Sequence, residues 1–290
     1  MFFLSVFLAF LQPLGNTLLV LFQDAPAWLI VVAFFMVWVI CWWPLAAILA
    51  IVLKWQPNKP LPPEHKIPLL IPLYLLAPLM IWGANLLKLG SFFDYGLLVN
   101  LAILKSLLLG FGLGVLGLVV VFTGQYWLGW CNLEVSQRSL VPSSLLPISL
   151  VALLVGGIEE LVFRGFVLTT LERDFSLWVA AIITSIIFAL LHLVWEQTET
   201  IPQLPGLWLM GMVLVLARLA DKGNLGIAWG LHTGWVWAIA LIDTNGLITY
   251  TGQVPEWLTG KYKKPLAGLA GIICLLGTGV ILWLIFPKLS

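Results

Sequence analysis

Charge is scarce in this sequence. Only 9% of its 290 residues are Asp, Glu, Lys or Arg, against about 25% in an ordinary soluble domain. The 14 basic and 13 acidic residues leave a formal charge of +1. So even a balance offers no basic field to nucleic acid, and that class of partner is excluded. Cysteine is scarce as well. Cys41, Cys131 and Cys274 stand far apart with no CxxC pair, so neither a disulfide framework nor a thiolate metal site is implied. The HExxH helix of soluble metalloproteases is missing, and no internal repeat supports an inverted-repeat transporter. The first residues, MFFLSVFLAFLQPLGN, lack the basic start and small-residue cleavage site of a signal peptide. They read as a first spanning or interfacial helix.

What fills the space left by charge is hydrocarbon. The chain is 61% hydrophobic with a mean hydropathy of +1.07, the composition of an integral, multi-pass membrane protein in contact with the lipid bilayer. Apolar runs of about 20 residues cross a bilayer as helices. Such runs fall at 3–22, 28–53, 68–87, 99–122, 146–171, 177–194, 206–220, 225–243 and 265–286. They predict an all-α fold, a polytopic membrane bundle of about eight or nine transmembrane helices enclosing a polar cavity. The proline-rich KWQPNKPLPPEHK and the stretches 123–145 and 244–264 read as polar loops. Gly110, Gly112, Gly114 and Gly117 give the 99–122 run a small-residue face suited to close helix packing.

Against that background, Glu159, Glu160 and Arg164 are out of place. They sit inside the run 146–171, where an ionised side chain costs roughly 2.5–3.5 kcal/mol on insertion scales. Arg164 is four residues beyond Glu160, within reach on one helical face, so these two are expected to pair. Glu159 points about 100° away and is the carboxylate expected to face a cavity as a general base or proton shuttle. A buried ion triad that only orients helices is the plainer alternative.

Two of the three histidines also lie in apolar runs. His192 follows Phe188 by four residues, and His232 is flanked by Gly230 and Gly234. His65 lies in a polar loop and reads as solvated. A carboxylate and two imidazoles on separate helices form a set that can bind a divalent ion, possibly zinc, and activate water. The candidate metal ligands are Glu159, His192 and His232. Trp235 and Trp237 read as packing or as part of an interfacial belt. Arg218 and Asp221 are expected to pair at the end of their helix, and Glu196 and Glu199 to be solvated.

The order Glu159-Glu160-x-x-x-Arg164, Phe188-x-x-x-His192, His232 resembles the three-motif signature of the CPBP family. These are CAAX proteases and bacteriocin-processing proteins, akin to Rce1-type prenyl endopeptidases. The resemblance spans roughly 145–245. It divides the chain into N-terminal membrane helices at 1–140 and a family-like core with the last helix at 141–290. It implies an intramembrane endopeptidase that cleaves a membrane-associated protein or peptide near its C-terminus, in a prokaryotic cell membrane or a related internal one. By that resemblance Glu159 activates water, Glu160 and Arg164 support it, and His192 and His232 bind a metal or stabilise the oxyanion. One position departs. The family commonly places Asn or Asp four residues after the last histidine, and here Val236 stands there. Thr233, Asp243, Asn245, Thr184 and Ser185 are the neighbouring polar candidates. Val236 also leaves open a catalytically weakened scaffold or immunity protein, and Glu159 an ion-coupled transporter.

Overall fold

The computed structural model describes residues 24–55, 62–98, 100–134, 142–194 and 197–285. The run 3–22 lies outside the described residues. Contacts divide the chain into two units, one of residues 1–95 with 169–175 and one of 96–168 with 176–290.

In the first unit, α1 (Ala27–Val52) and α2 (Pro63–Leu86) pack side by side. Trp38 Nε1 donates to the Leu73 carbonyl at 2.9 Å and Trp42 Nε1 to that of Leu69 at 3.2 Å. The pairing runs backwards along one helix as it advances along the other, so the two are antiparallel. α2 starts at Pro63, inside the stretch expected to be loop. Proline suits a first helical turn because the N–H it lacks has no partner there. The Ala27 N–H donates to Asp174 at 2.6 Å, so the first turn of α1 is anchored by a carboxylate from 169–175.

The second unit holds α3 (Leu101–Trp127), α4 (Pro142–Glu160), α5 (Leu177–Leu191), α6 (Leu204–Ala220), α7 (Gly226–Asn245) and α8 (Leu269–Ile285). α4 continues as a π-helical turn, Leu161–Val167, and closes with Leu168–Leu171. Asn100 caps α3 by accepting from the Ala102 and Ile103 N–H groups, which is where a side-chain acceptor relieves orphan donors. Two stretches expected to be loops instead form a short antiparallel ribbon. Cys131–Leu133 pairs with Ile248–Tyr250, joining the chain just after α3 to the chain just after α7.

Among the described residues six helices are long and apolar enough to span a bilayer. Leu269–Leu284 is a shorter apolar helix. α7 is a full 20 residues long but is not among the six. Its first half is buried by α3, α4 and α6, so it tolerates polar side chains that a lipid-facing helix would not.

Glycine makes this enclosure possible. A Cβ on Gly230 would strike the Leu107 carbonyl, and one on Gly234 that of Phe111. From the other side, Gly110 and Gly114 face the carbonyls of Ile227 and Leu231. α3 and α7 are therefore in backbone contact along two turns, the small-residue packing that the sequence foreshadows. On α4, Gly156 and Gly157 admit Thr233 and Trp229 in the same way, and Trp229 Nε1 donates to the Leu153 carbonyl at 2.9 Å.

The start of α7 is pinned separately. Asp221 accepts from the Ser106 hydroxyl at 2.8 Å and from the Ile227 N–H at 3.1 Å. Burial pushes its carboxyl above the usual range, although these hydrogen bonds oppose the shift. Arg218 reaches elsewhere, donating to the carbonyls of Gly223 and Arg164.

Gly230→Ala should lower the unfolding free energy by about 2 kcal/mol or more, because its methyl group meets backbone and cannot be repacked. Gly112→Ala, with open space around it, should be neutral. Chemical unfolding in detergent compares the two.

Candidate active site

The site forms where α4, α5 and α7 meet. Glu160 and Arg164 are wholly buried and pair at 2.9 Å across the turn that leads into the π-helical segment. This is the i,i+4 pairing anticipated from spacing. Arg164 uses its second terminal nitrogen on the Gly211 carbonyl of α6, at 3.1 Å. Its guanidinium also lies over the Phe188 ring, 4.5 Å from the centroid, a favourable cation–π placement. One side chain thus ties α4 to α5 and α6.

The same oxygen of Glu160 also meets His232 Nδ1 at 2.8 Å. A carboxylate only accepts, so Nδ1 carries the hydrogen and donates it. In the neutral ring that leaves the lone pair on Nε2. Nε2 faces Glu159 Oε2 at 3.6 Å. His232 is therefore held between both glutamates, one on each ring nitrogen.

His192 closes α5 and opens a short 3-10 turn, His192–Val194. Its Nδ1 lies 2.8 Å from the Phe188 carbonyl, so this histidine also donates from Nδ1. Phe188 stands between the two imidazoles, with ring centroids 4.7 Å from His192 and 6.0 Å from His232. The spacing Phe188-x-x-x-His192 places both rings on one helical face, and burial of Phe188 fixes the tilt of each.

A cavity of about 400 Å³ opens beside this cluster. His192, His232, Trp235 and Val236 line it, as do Gln203 and Lys264. Its walls are otherwise mostly apolar, among them Leu207, Met210 and Leu275, which differs from the polar cavity expected. Glu159 is not among the lining residues. Its side chain is 13% exposed and adjoins this cavity through His232.

Of the neighbouring polar candidates Asn245 and Asp243 have partners, whereas the hydroxyls of Thr184, Ser185 and Thr233 are buried without a hydrogen bond among the described residues. Thr233 packs on Gly156, Ser185 on Gly211, and Asn245 donates to the Leu241 carbonyl. Thr184 is fully buried. Asp243 lines the cavity and lies 3.8 Å from Lys264, which is equally far from Glu199. Glu199 is therefore drawn into an ion-pair cluster instead of being simply solvated, and Glu196 lies outside the described residues. Trp237 packs on Phe111 and donates to Ser149, as expected of a packing residue. Trp235 is buried too, at 7% exposure, and also lines the cavity.

The spacing of Glu159 and His232 suits two ligands of one metal ion. Two ligand atoms each about 2 Å from one ion are roughly 3.3 Å apart in a tetrahedral site, and Glu159 Oε2 with His232 Nε2 come near that spacing. A catalytic zinc takes three protein ligands. Among the described residues no three His, Cys, Asp or Glu side chains are grouped to hold an ion. His192 shares the cavity but does not complete the set, so no reaction step is assigned to a metal.

Residues 141–238, 98 of the 290, match the family model described as type II CAAX prenyl endopeptidase Rce1-like. No curated protein and no solved structure matches the chain. The matched segment contains Glu159, Glu160, Arg164, His192 and His232, so the part of the chain that carries the site is similar to the Rce1-like CAAX proteases.

Arg164→Leu should destabilise the protein by about 3–5 kcal/mol, because it leaves Glu160 charged and buried. Glu160→Leu combined with Arg164→Leu should recover much of that loss. Unfolding of both variants in detergent checks it.

Proposed function

We propose that this Rce1-like membrane protein is an intramembrane endopeptidase that cleaves a membrane-associated protein or peptide with water as the nucleophile. The observation that carries the reading is the pair of acceptor atoms, Glu159 Oε2 and His232 Nε2, fixed 3.6 Å apart beside the cavity. In this reading a water enters beside these two atoms, offers one hydrogen to each and turns its oxygen lone pair towards a substrate carbonyl.

In this scheme the water oxygen bonds to the carbonyl carbon while its proton passes to Glu159. The tetrahedral intermediate then collapses, the C–N bond breaks, and Glu159 returns the proton to the departing amine. No acyl-enzyme forms. Glu160 and Arg164 hold His232 in the required tautomer, a positioning role. His192, in its imidazolium form, can donate from Nε2 to the oxyanion. The family name supports a protein substrate cut near its C-terminus, and nothing in the chemistry above requires a prenyl group.

Glu159→Gln should reduce cleavage of a reconstituted membrane substrate by roughly 10²–10⁴-fold, the usual contribution of a general base, with no change in unfolding. Cleavage that persists at the wild-type rate would remove Glu159 from the mechanism. Stable substrate binding by the wild-type protein without any cleavage would favour a scaffold. In EDTA the wild-type rate should hold; a loss restored by zinc would establish the third ligand that the described residues do not supply.

A further inference from the structure

Between α7 and α8 the chain passes through residues 256–268, which begin with a short helix, Glu256–Thr259. Glycines fasten this segment to the ends of two apolar helices. A Cβ on Gly206, in the first turn of α6, would strike the Leu266 carbonyl, and one on Gly271, in the first turn of α8, that of Pro265. The segment therefore lies where these helices begin their apolar runs, the level of lipid headgroups.

What it displays there is basic and aromatic. Lys261, Tyr262 and Lys263 are exposed, and so is Trp257, at 61%. Lys264 is already engaged, facing Glu199 and Asp243. Lys261 and Lys263 enter no ion pair among the described residues. The Lys261 ammonium lies over the Tyr262 ring, 5.1 Å from its centroid. Glu256 is the only carboxylate in the segment.

The backbone is set for this display. Tyr262 and Lys263 both take left-handed φ, 56° and 62°, a conformation that residues with a Cβ avoid. The turn is closed by the Lys263 N–H on the Gly260 carbonyl and the Lys264 N–H on the Lys261 carbonyl, each at 3.1 Å. An unfavourable turn whose exposed cations have no carboxylate of their own points to a partner outside the protein. Free cations at headgroup level attract anionic lipid, and Trp and Tyr rings favour the same level. The rings decide between a lipid and a soluble anion, because a soluble anion offers no hydrocarbon edge on which they can rest.

We propose that residues 256–263 form a binding surface for anionic phospholipid, with Lys261 and Lys263 on the headgroup phosphate and Trp257 and Tyr262 beside the glycerol backbone. The proposal stands apart from the endopeptidase reading, and either can fail alone. Native mass spectrometry of the full-length protein in detergent reads lipid binding directly. The probes are dioleoylphosphatidylglycerol, with dioleoylphosphatidylcholine as the zwitterionic control.

The wild-type protein should prefer phosphatidylglycerol. Lys261→Gln with Lys263→Gln should weaken that lipid by about thirtyfold, at about fivefold per lysine, and leave phosphatidylcholine unchanged. Lys261→Arg with Lys263→Arg should keep the preference. Lys222→Gln, beyond the other end of α6 and about 25 Å along it, should change nothing. Equal affinity of the wild-type protein for the two lipids would overturn the proposal without any variant. So would full phosphatidylglycerol affinity in the double Gln variant, an equal loss of phosphatidylcholine, or the same loss in Lys222→Gln. Displacement of phosphatidylglycerol by millimolar inorganic phosphate would overturn it too, by assigning the lysines to a soluble anion.

Discussion

A single carboxylate oxygen, Oε1 of Glu160, organises the centre of this protein. It accepts from Arg164 at 2.9 Å and from His232 at 2.8 Å, with all three side chains buried. A charge at that depth is tolerable only when it is paired and hydrogen-bonded. Once paired, it dictates what surrounds it. The arginine must reach α6 and Phe188 with its remaining donors, and the histidine must present Nδ1 to Glu160 and Nε2 to Glu159. The tautomer on which the proposed water activation depends follows from this one acceptor.

Such a centre needs helices closer together than large side chains permit. Gly230 and Gly234 set the α7 backbone against α3, and Gly156 and Gly157 set α4 against α7. Without that approach the glutamates and His232 could not share hydrogen bonds, since side-chain lengths limit the span. The cavity lies along the face of α7 that carries Trp235 and Ile239. His232 belongs to that face as well, so one residue both lines the cavity and pairs with Glu160, and the buried charge adjoins the cavity.

Much of this was legible in the sequence, for identifiable reasons. Three ionisable residues in an apolar run cannot be idle, and the four-residue step from Glu160 to Arg164 fixes their pairing because the helix period is known. The glycines of α3 announced close packing. Periodicity could not say which face of α7 meets which neighbour, so the cavity along Trp235, Val236 and Ile239 is visible only in the fold. The ribbon between Cys131–Leu133 and Ile248–Tyr250 joins segments far apart in the chain and too short to show alternation. Lys264 looked like the end of a loop, and only the fold brings it to Glu199 and Asp243. The set of Glu159, His192 and His232 rests on residue types in separate apolar runs and on the family resemblance, neither of which gives distances. Among the described residues the structure joins the first and last of these, and turns His192 to its own helix carbonyl.

The most direct test is the protonation of His232 itself. Nitrogen-15 spectra of the membrane-embedded protein, with His232 assigned by substitution, report which ring nitrogen carries hydrogen. The account predicts a protonated Nδ1 in a strong hydrogen bond, which weakens when Glu160 is replaced by Gln. A His232 whose Nδ1 is bare, with the hydrogen on Nε2 alone, would contradict it, because Glu160 would then accept nothing from His232 and the proposed water beside Glu159 would lose its second acceptor.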